Sequence, residues 1–153
     1  MNATLYLDTS ALVKLYIQEA GSEALVAATR SRALKALSIA RVEACSAIWR
    51  RHRIGDLAES VAHELVRRIE KDCRSVIALV PVTDDVLEEA LRLCRRHGLR
   101  AYDAIQLAGA LRPTGPRTSD DSSLFVASDE ALLAAARTEG LRSWNPATTA
   151  APP

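Results

Sequence analysis

The stretch Ala3-Thr4-Leu5-Tyr6-Leu7-Asp8-Thr9-Ser10-Ala11-Leu12-Val13-Lys14-Leu15 decides how the rest of the chain is read. A short apolar run, an acid, two hydroxyls and then apolar residues at helical spacing predict a strand, a turn and a helix. Parallel α/β sheets collect ligands at the carboxyl ends of their strands, so Asp8 falls where a site is expected. Asp is also a common helix cap, and capping alone accounts for Asp8 about equally well. The junction recurs near the other end, in Leu124-Phe125-Val126-Ala127-Ser128-Asp129-Glu130-Ala131-Leu132-Leu133. There Ser128 is the expected cap and Glu130 a first-turn acid, and it is the repetition that raises Asp129 above a capping residue.

Between these junctions the punctuation is regular. Helices are expected over 10–17 and 22–32, parted by Ala20-Gly21, then a strand over 35–37 and a helix capped by Ser38. Gly55-Asp56 interrupts before a long helix over 57–73, with Val61, Leu65, Ile69 and Cys73 on one face, and the two long helices should form a hairpin. The β-branched run Val76-Ile77-Ala78-Leu79-Val80-Pro81-Val82 predicts a strand, and Thr83-Asp84-Asp85 caps a helix that runs to His97 and stops at Gly98. A polar, Pro- and Gly-containing loop over 112–123 precedes the last strand, helix and strand, the final strand over 141–144. Strands alternating with helices imply an α/β fold with a parallel sheet covered on both faces, a single domain over 1–144 with a frayed tail over 145–153.

Two more acids lie inside apolar helices. Glu43 has Ile39 and Ala47 one turn to either side, and Asp103 has Leu99 and Leu107. A buried carboxylate must be paired, bind a cation, or hold its proton. For Glu43 the plain alternative is a salt bridge to an Arg; for Asp103 it is a first-turn acid favoured by the helix dipole, by roughly 0.3–1 kcal/mol. Asp8, Glu43, Asp103 and Asp129 together suggest a metal site. Cys45, Cys73 and Cys94 are odd in number and unpaired in spacing, and His52, His63 and His97 lack ligand spacing. Zinc is therefore disfavoured, and oxygen ligation suits magnesium or manganese.

The charges nearly cancel, with 20 Lys plus Arg against 19 Asp plus Glu, so no global field draws in a polyanion. Nucleic-acid binding would need local patches, such as Arg50-Arg51-His52-Arg53, Arg67-Arg68 or Arg95-Arg96-His97 with Arg100, although most such runs are solvated helix ends. No apolar stretch is long enough to span a bilayer and no secretory leader pattern opens the chain, so a cytoplasmic location is expected.

The four motifs Leu7-Asp8-Thr9-Ser10-Ala11-Leu12, Ala40-Arg41-Val42-Glu43-Ala44, Arg100-Ala101-Tyr102-Asp103-Ala104-Ile105-Gln106-Leu107-Ala108 and Val126-Ala127-Ser128-Asp129-Glu130-Ala131-Leu132-Leu133 are individually short. In this order and spacing the chain resembles the PIN-domain nucleases, and within them the VapC-type toxins of bacterial toxin–antitoxin pairs. The resemblance implies a three-layer α/β/α sandwich with a mostly parallel sheet and Mg- or Mn-dependent RNA cleavage. It also implies a homodimer and a cognate antitoxin that lies near the site, often inhibiting it through a basic side chain. By the same resemblance Asp8 and Asp103 match metal-holding acids, Glu43 the acid of the third helix and Asp129 the more variable fourth. Ser10 and Ser128 match small polar positions beside the first and fourth acids. Asp120 and Asp121 in the long loop compete with Asp129, which is preferred because it follows a strand.

The chemistry agrees with the residues. Phosphodiester hydrolysis needs an activated water and charge stabilisation on the phosphate, both of which carboxylate-held divalent ions supply. On this reading Asp8 and Asp103 ligate metal, while Glu43 and Asp129 position water or a second ion. A dehalogenase-type phosphatase would want a second Asp where Ser10 stands, and a receiver module an acidic pair near Asp8. A binding module using the acids only for structure is the remaining rival.

Overall fold

The computed structural model describes residues 4–112 and 123–153, so Asp120 and Asp121 and most of the 112–123 loop lie outside the described residues. The opening apolar run forms β1 (Leu5–Leu7), buried throughout. Leu5 and Leu7 join one core and Tyr6 the other, as the two-residue period of a strand requires. β2 (Leu34–Leu37) and β4 (Leu124–Val126) flank β1, with β3 (Ile77–Val80) outside β2 and β5 (Arg142–Trp144) outside β4. All four pairings are parallel.

Parallel neighbours need crossovers, and helices supply them. α1 (Thr9–Val13) and α2 (Ser22–Thr29) link β1 to β2, while α3 (Ser38–Arg53) and α4 (Glu59–Ser75) link β2 to β3. α5 (Asp84–His97) and α6 (Ala101–Leu111) precede β4, and α7 (Glu130–Thr138) links β4 to β5. Ala11, Leu25, Ala44, Ile48, Leu65 and Ile69 from the first four helices pack on Leu5, Leu7 and Val126. Leu93, Leu107 and Leu133 from the last three pack on Tyr6, Leu37 and Phe125 on the opposite face. The molecule is therefore a three-layer α/β/α sandwich. From β1 the chain moves outward through β2 to β3, then returns to the other side of β1 as β4. That reversal opens a crevice at the carboxyl ends of β1 and β4, which is where Asp8 and Asp129 stand.

One close approach fixes the second layer. A Cβ on Gly109 would collide with the Tyr6 hydroxyl and with Leu37, so the missing side chain lets α6 lie directly on the sheet. Gly98, at φ 66°, ends α5 in the left-handed conformation that the sequence predicts. The hairpin of α3 and α4 forms, and the three cysteines are free.

Several expected boundaries shift for local reasons. α1 ends at Val13 rather than at residue 17, because Leu15 and Tyr16 donate to carbonyls three residues back and tighten the chain into turns. Ser38 is the first residue of α3 and not its cap: β2 runs into the helix with no intervening loop, leaving Leu37 at the cap position. At the last junction Asp129, not Ser128, caps the helix. The segment expected to fray after residue 144 carries hydrogen bonds as far as Pro153, whose carbonyl accepts from the Arg142 guanidinium. Asn145 Nδ2 donates to Ser128 O and Glu130 Oε1, and Trp144 Nε1 donates to Thr149 O.

Candidate active site

Asp8 follows β1 directly, and its backbone N–H donates to Val126 O of β4, which ties the two strand ends together. Its Oδ1 accepts from the Ala11 amide at 2.9 Å and from Ser10 Oγ at 2.7 Å. The capping role and the site role thus coexist: one oxygen starts α1, and Oδ2 has no protein donor among the described residues. Ser10 Oγ also accepts from the Ser128 amide at 3.0 Å, so the expected supporting serine links the first acid to the fourth junction.

Glu43 is held in the same one-sided way. Its Oε2 accepts from Thr9 Oγ1 at 2.5 Å and from Gln106 Nε2 at 2.8 Å, and Gln106 Nε2 also reaches Thr9 Oγ1 at 2.9 Å. The salt bridge considered for Glu43 is not formed among the described residues. Asp129 Oδ1 accepts from the Leu132 amide at 2.9 Å as the cap of α7. Asp103 lies one turn before Gln106 on α6, half-buried and beside Arg100, which partly offsets its acid neighbours.

All four acids line one cleft of about 420 Å³, with Thr9, Ser10, Val13, Lys14, Glu19, Ala47, Arg51, Gln106 and Ser128. Burial pushes the Asp8 carboxyl up to about 6, against the pull of its two donors, and the charges of Asp103 and Glu43 add to the rise. Burial, followed by the charge of Asp129, likewise raises Asp103. Thr9, Gln106, Lys14 and Glu19 escaped the sequence reading, whereas Arg51 belongs to the patch Arg50-Arg51-His52-Arg53 that the sequence offers for nucleic acid. The three-residue spacing of Asp103 and Gln106 on one helix was the available signal for Gln106; nothing local marks Glu19.

Among the described residues no three His, Cys, Asp or Glu side chains stand close enough to hold an ion unaided. The donor set still fits magnesium or manganese, which keep several waters and need few direct carboxylates. Gln106 and Ser128 line this cleft, and their Oε1 and Oγ are buried without a partner among the described residues, polar atoms beside the acids that these residues leave unsatisfied. The basic patch at the end of α5 has another use: Glu139 accepts from Arg92 and His97 at 2.6 Å each and pairs with Arg96. No helix among the described residues is long and apolar enough to cross a membrane.

Comparison with known proteins agrees with this architecture. A family model described as PIN domain matches residues 5–139. Ribonuclease VapC3 from Pyrobaculum aerophilum is 30% identical over 121 residues, which covers 78% of this chain and 91% of the relative. The crystal structure of PAE2754 from Pyrobaculum aerophilum shares the fold with a TM-score of 0.63 at 21% identity, covering 95% of this chain and 91% of that one.

Proposed function

We propose, from the premise that the chain belongs to the PIN-domain family and is of its VapC type, that it is a Mg- or Mn-dependent endoribonuclease, the toxin of a toxin–antitoxin pair. One observation carries the reading. Four carboxylates from distant parts of the chain line one cleft at the sheet's switch point, and Asp8 there is buried with no cationic partner among the described residues. Such an arrangement is costly for folding alone and useful for holding a divalent ion.

Asp8 and Asp103 would hold the ion, which when bound supplies the charge that activates water and stabilises the phosphate. The chain's own part is orientation. Ser10 and the Ala11 amide fix one Asp8 oxygen and leave the other for the ion. Thr9 and Gln106 fix Glu43 Oε2, so that Oε1 can accept the proton of the attacking water. The Leu132 amide holds Asp129 in the same manner at the far side. A scissile phosphate in the cleft then meets water oriented by Glu43 and Asp129.

The reading extends to a cytoplasmic location, to a homodimer and to a cognate antitoxin whose basic side chain would neutralise these acids. RNA cleavage measured with magnesium, with manganese and with chelator, for the wild type and Asp8→Asn, tests the core of it. Cleavage by the wild type only when metal is present is the expected result. A protein freed from any inhibitor that cuts no RNA under any metal condition is a binding module instead, and one that releases phosphate from small phosphomonoesters is a phosphatase.

A further inference from the structure

The cleft that holds the acids also holds two cations that metal-dependent hydrolysis leaves idle. Lys14, at the C-cap of α1, is buried, with its side chain 7% exposed, and Nζ lies 3.6 Å from Glu19 Oε2. Arg51 Nη2 approaches the same oxygen at 3.8 Å. Tight pairs elsewhere in the molecule close to 2.6 Å, as between Arg92 and Glu89. Two positive charges thus share one carboxylate oxygen loosely, and among the described residues neither pairs with Asp8, Glu43, Asp103 or Asp129. A buried ammonium left under-neutralised is unfavourable unless an anion arrives from outside.

Helix geometry points to where that anion lies. Glu43, Ala47 and Arg51 follow one another at four-residue intervals on α3, and all three line the cleft. At about 1.5 Å of rise per residue, Arg51 stands roughly 12 Å along the axis from Glu43, with only the methyl of Ala47 between them. One wall of the cleft is therefore acidic at one end and cationic at the other. A nucleic-acid backbone laid along it has one phosphate at the acids and a neighbouring one at the cations.

We propose that Lys14 and Arg51, tethered by Glu19, form a subsite that binds a backbone phosphate of single-stranded RNA next to the scissile one; this rests on the nuclease reading of the adjoining acids. Glu19 keeps both cations off the acid cluster, so that Lys14 does not neutralise Asp8 in place of a metal. Arg51 offers a planar fork for two phosphate oxygens, and Lys14 a point charge from the cleft wall.

The test is binding of a short labelled single-stranded RNA to the full chain in chelator, across a salt series, so that no cleavage intervenes. Removing one cation that neutralises a phosphate should flatten the slope of log affinity against log salt by about 0.7. Arg51→Met and Lys14→Met are each expected to show that flattening, Lys14→Arg to restore most of the slope, and Arg74→Met, at an exposed residue of α4 that pairs with Glu70 outside the basic patches, to leave affinity and slope unchanged. In cleavage with manganese, Arg51→Met should raise KM about five-fold with kcat within about two-fold, the mark of binding weakened equally in ground and transition states. Arg51 is partly exposed, so its variant reports even if Lys14→Met folds poorly. Slopes unchanged in both Met variants, or a wild type that binds no RNA, overturn the subsite. A flattened slope in a protein that cuts no RNA with any metal overturns the nuclease reading and leaves the subsite standing.

Discussion

Asp8 and Glu139 are both carboxylates with little exposure, yet one is pushed up to about 6 and the other held down to about 2. Glu139 sits among Arg92, His97 and Arg96, whose hydrogen bonds and charges favour its ionised form. Asp8 sits at the sheet's crevice, where burial and two other acids oppose ionisation and only neutral donors help. The first is an acid whose charge the fold has satisfied. The second is one whose charge the fold leaves open, which makes it costly in isolation and receptive to a cation.

The largest separation between the two regions should appear in activity. Asp8→Asn or Glu43→Gln is expected to lower RNA cleavage by about 10³-fold, as removal of a key electrostatic group does, whereas Glu139→Gln should leave kcat/KM within about two-fold. Equal losses at both places would erase the distinction. Next comes the stability of the metal-free protein. The shift of Asp8 from 3.8 to about 6 corresponds to roughly 3 kcal/mol as a ceiling. Asp8→Asn should recover about 1–2 kcal/mol of that at pH 7, seen as a higher Tm in chelator. Added manganese should raise the Tm of the wild type and not that of the variant. A smaller effect, of about 1 kcal/mol, is expected from Asn145→Ala, which removes the amide that joins Ser128 O to Glu130 Oε1. Because that amide steadies the junction carrying Asp129, cleavage should fall a few-fold alongside the Tm.

The crevice was legible in the sequence because strand ends declare themselves locally. Leu5 to Leu7 is a short apolar run ended by an acid, Leu124 to Val126 is one followed by an acid three residues on, and parallel topology places such ends at one edge. Glu43 and Asp103 stood out because an acid at apolar helical spacing is conspicuous. What the sequence hid is partnership across distance. Gln106 and Thr9 meet at Glu43 only because Gly109 lets α6 settle on the sheet, and Glu19 meets Lys14 and Arg51 through the turn after α1. The basic run near His97 looked like a candidate nucleic-acid patch until Glu139, forty-two residues away, was seen to take up Arg96 and His97. The end of the chain looked frayed because its composition is polar and small, whereas Gly21 lacks a side chain just where Pro146 and Ala147 cross it.

The smallest effect is the loss at Glu139, and it tests the comparison by its sign. Arg92 and Arg96 keep substantial exposure, so screening limits Glu139→Gln to about 0.5 kcal/mol, roughly one or two degrees of Tm. A depressed folded pKa means that the unfolded chain binds the proton first as pH falls. The Glu139 contribution is therefore complete above 4.5 and disappears as pH drops toward about 2. For Asp8 the order is reversed: the unfolded chain loses its proton first as pH rises, so stability declines from about 3.8 to about 6 and stays lower above that. The two windows overlap between 3.8 and 4.5, and together they place a stability maximum of the metal-free protein at about pH 4. Thermal melts in chelator across pH 2 to 8 should show Glu139→Gln flattening the acid side of that maximum and Asp8→Asn flattening the neutral side. A variant that flattened the opposite side would mean that the satisfied and the unsatisfied acid had been assigned the wrong way round.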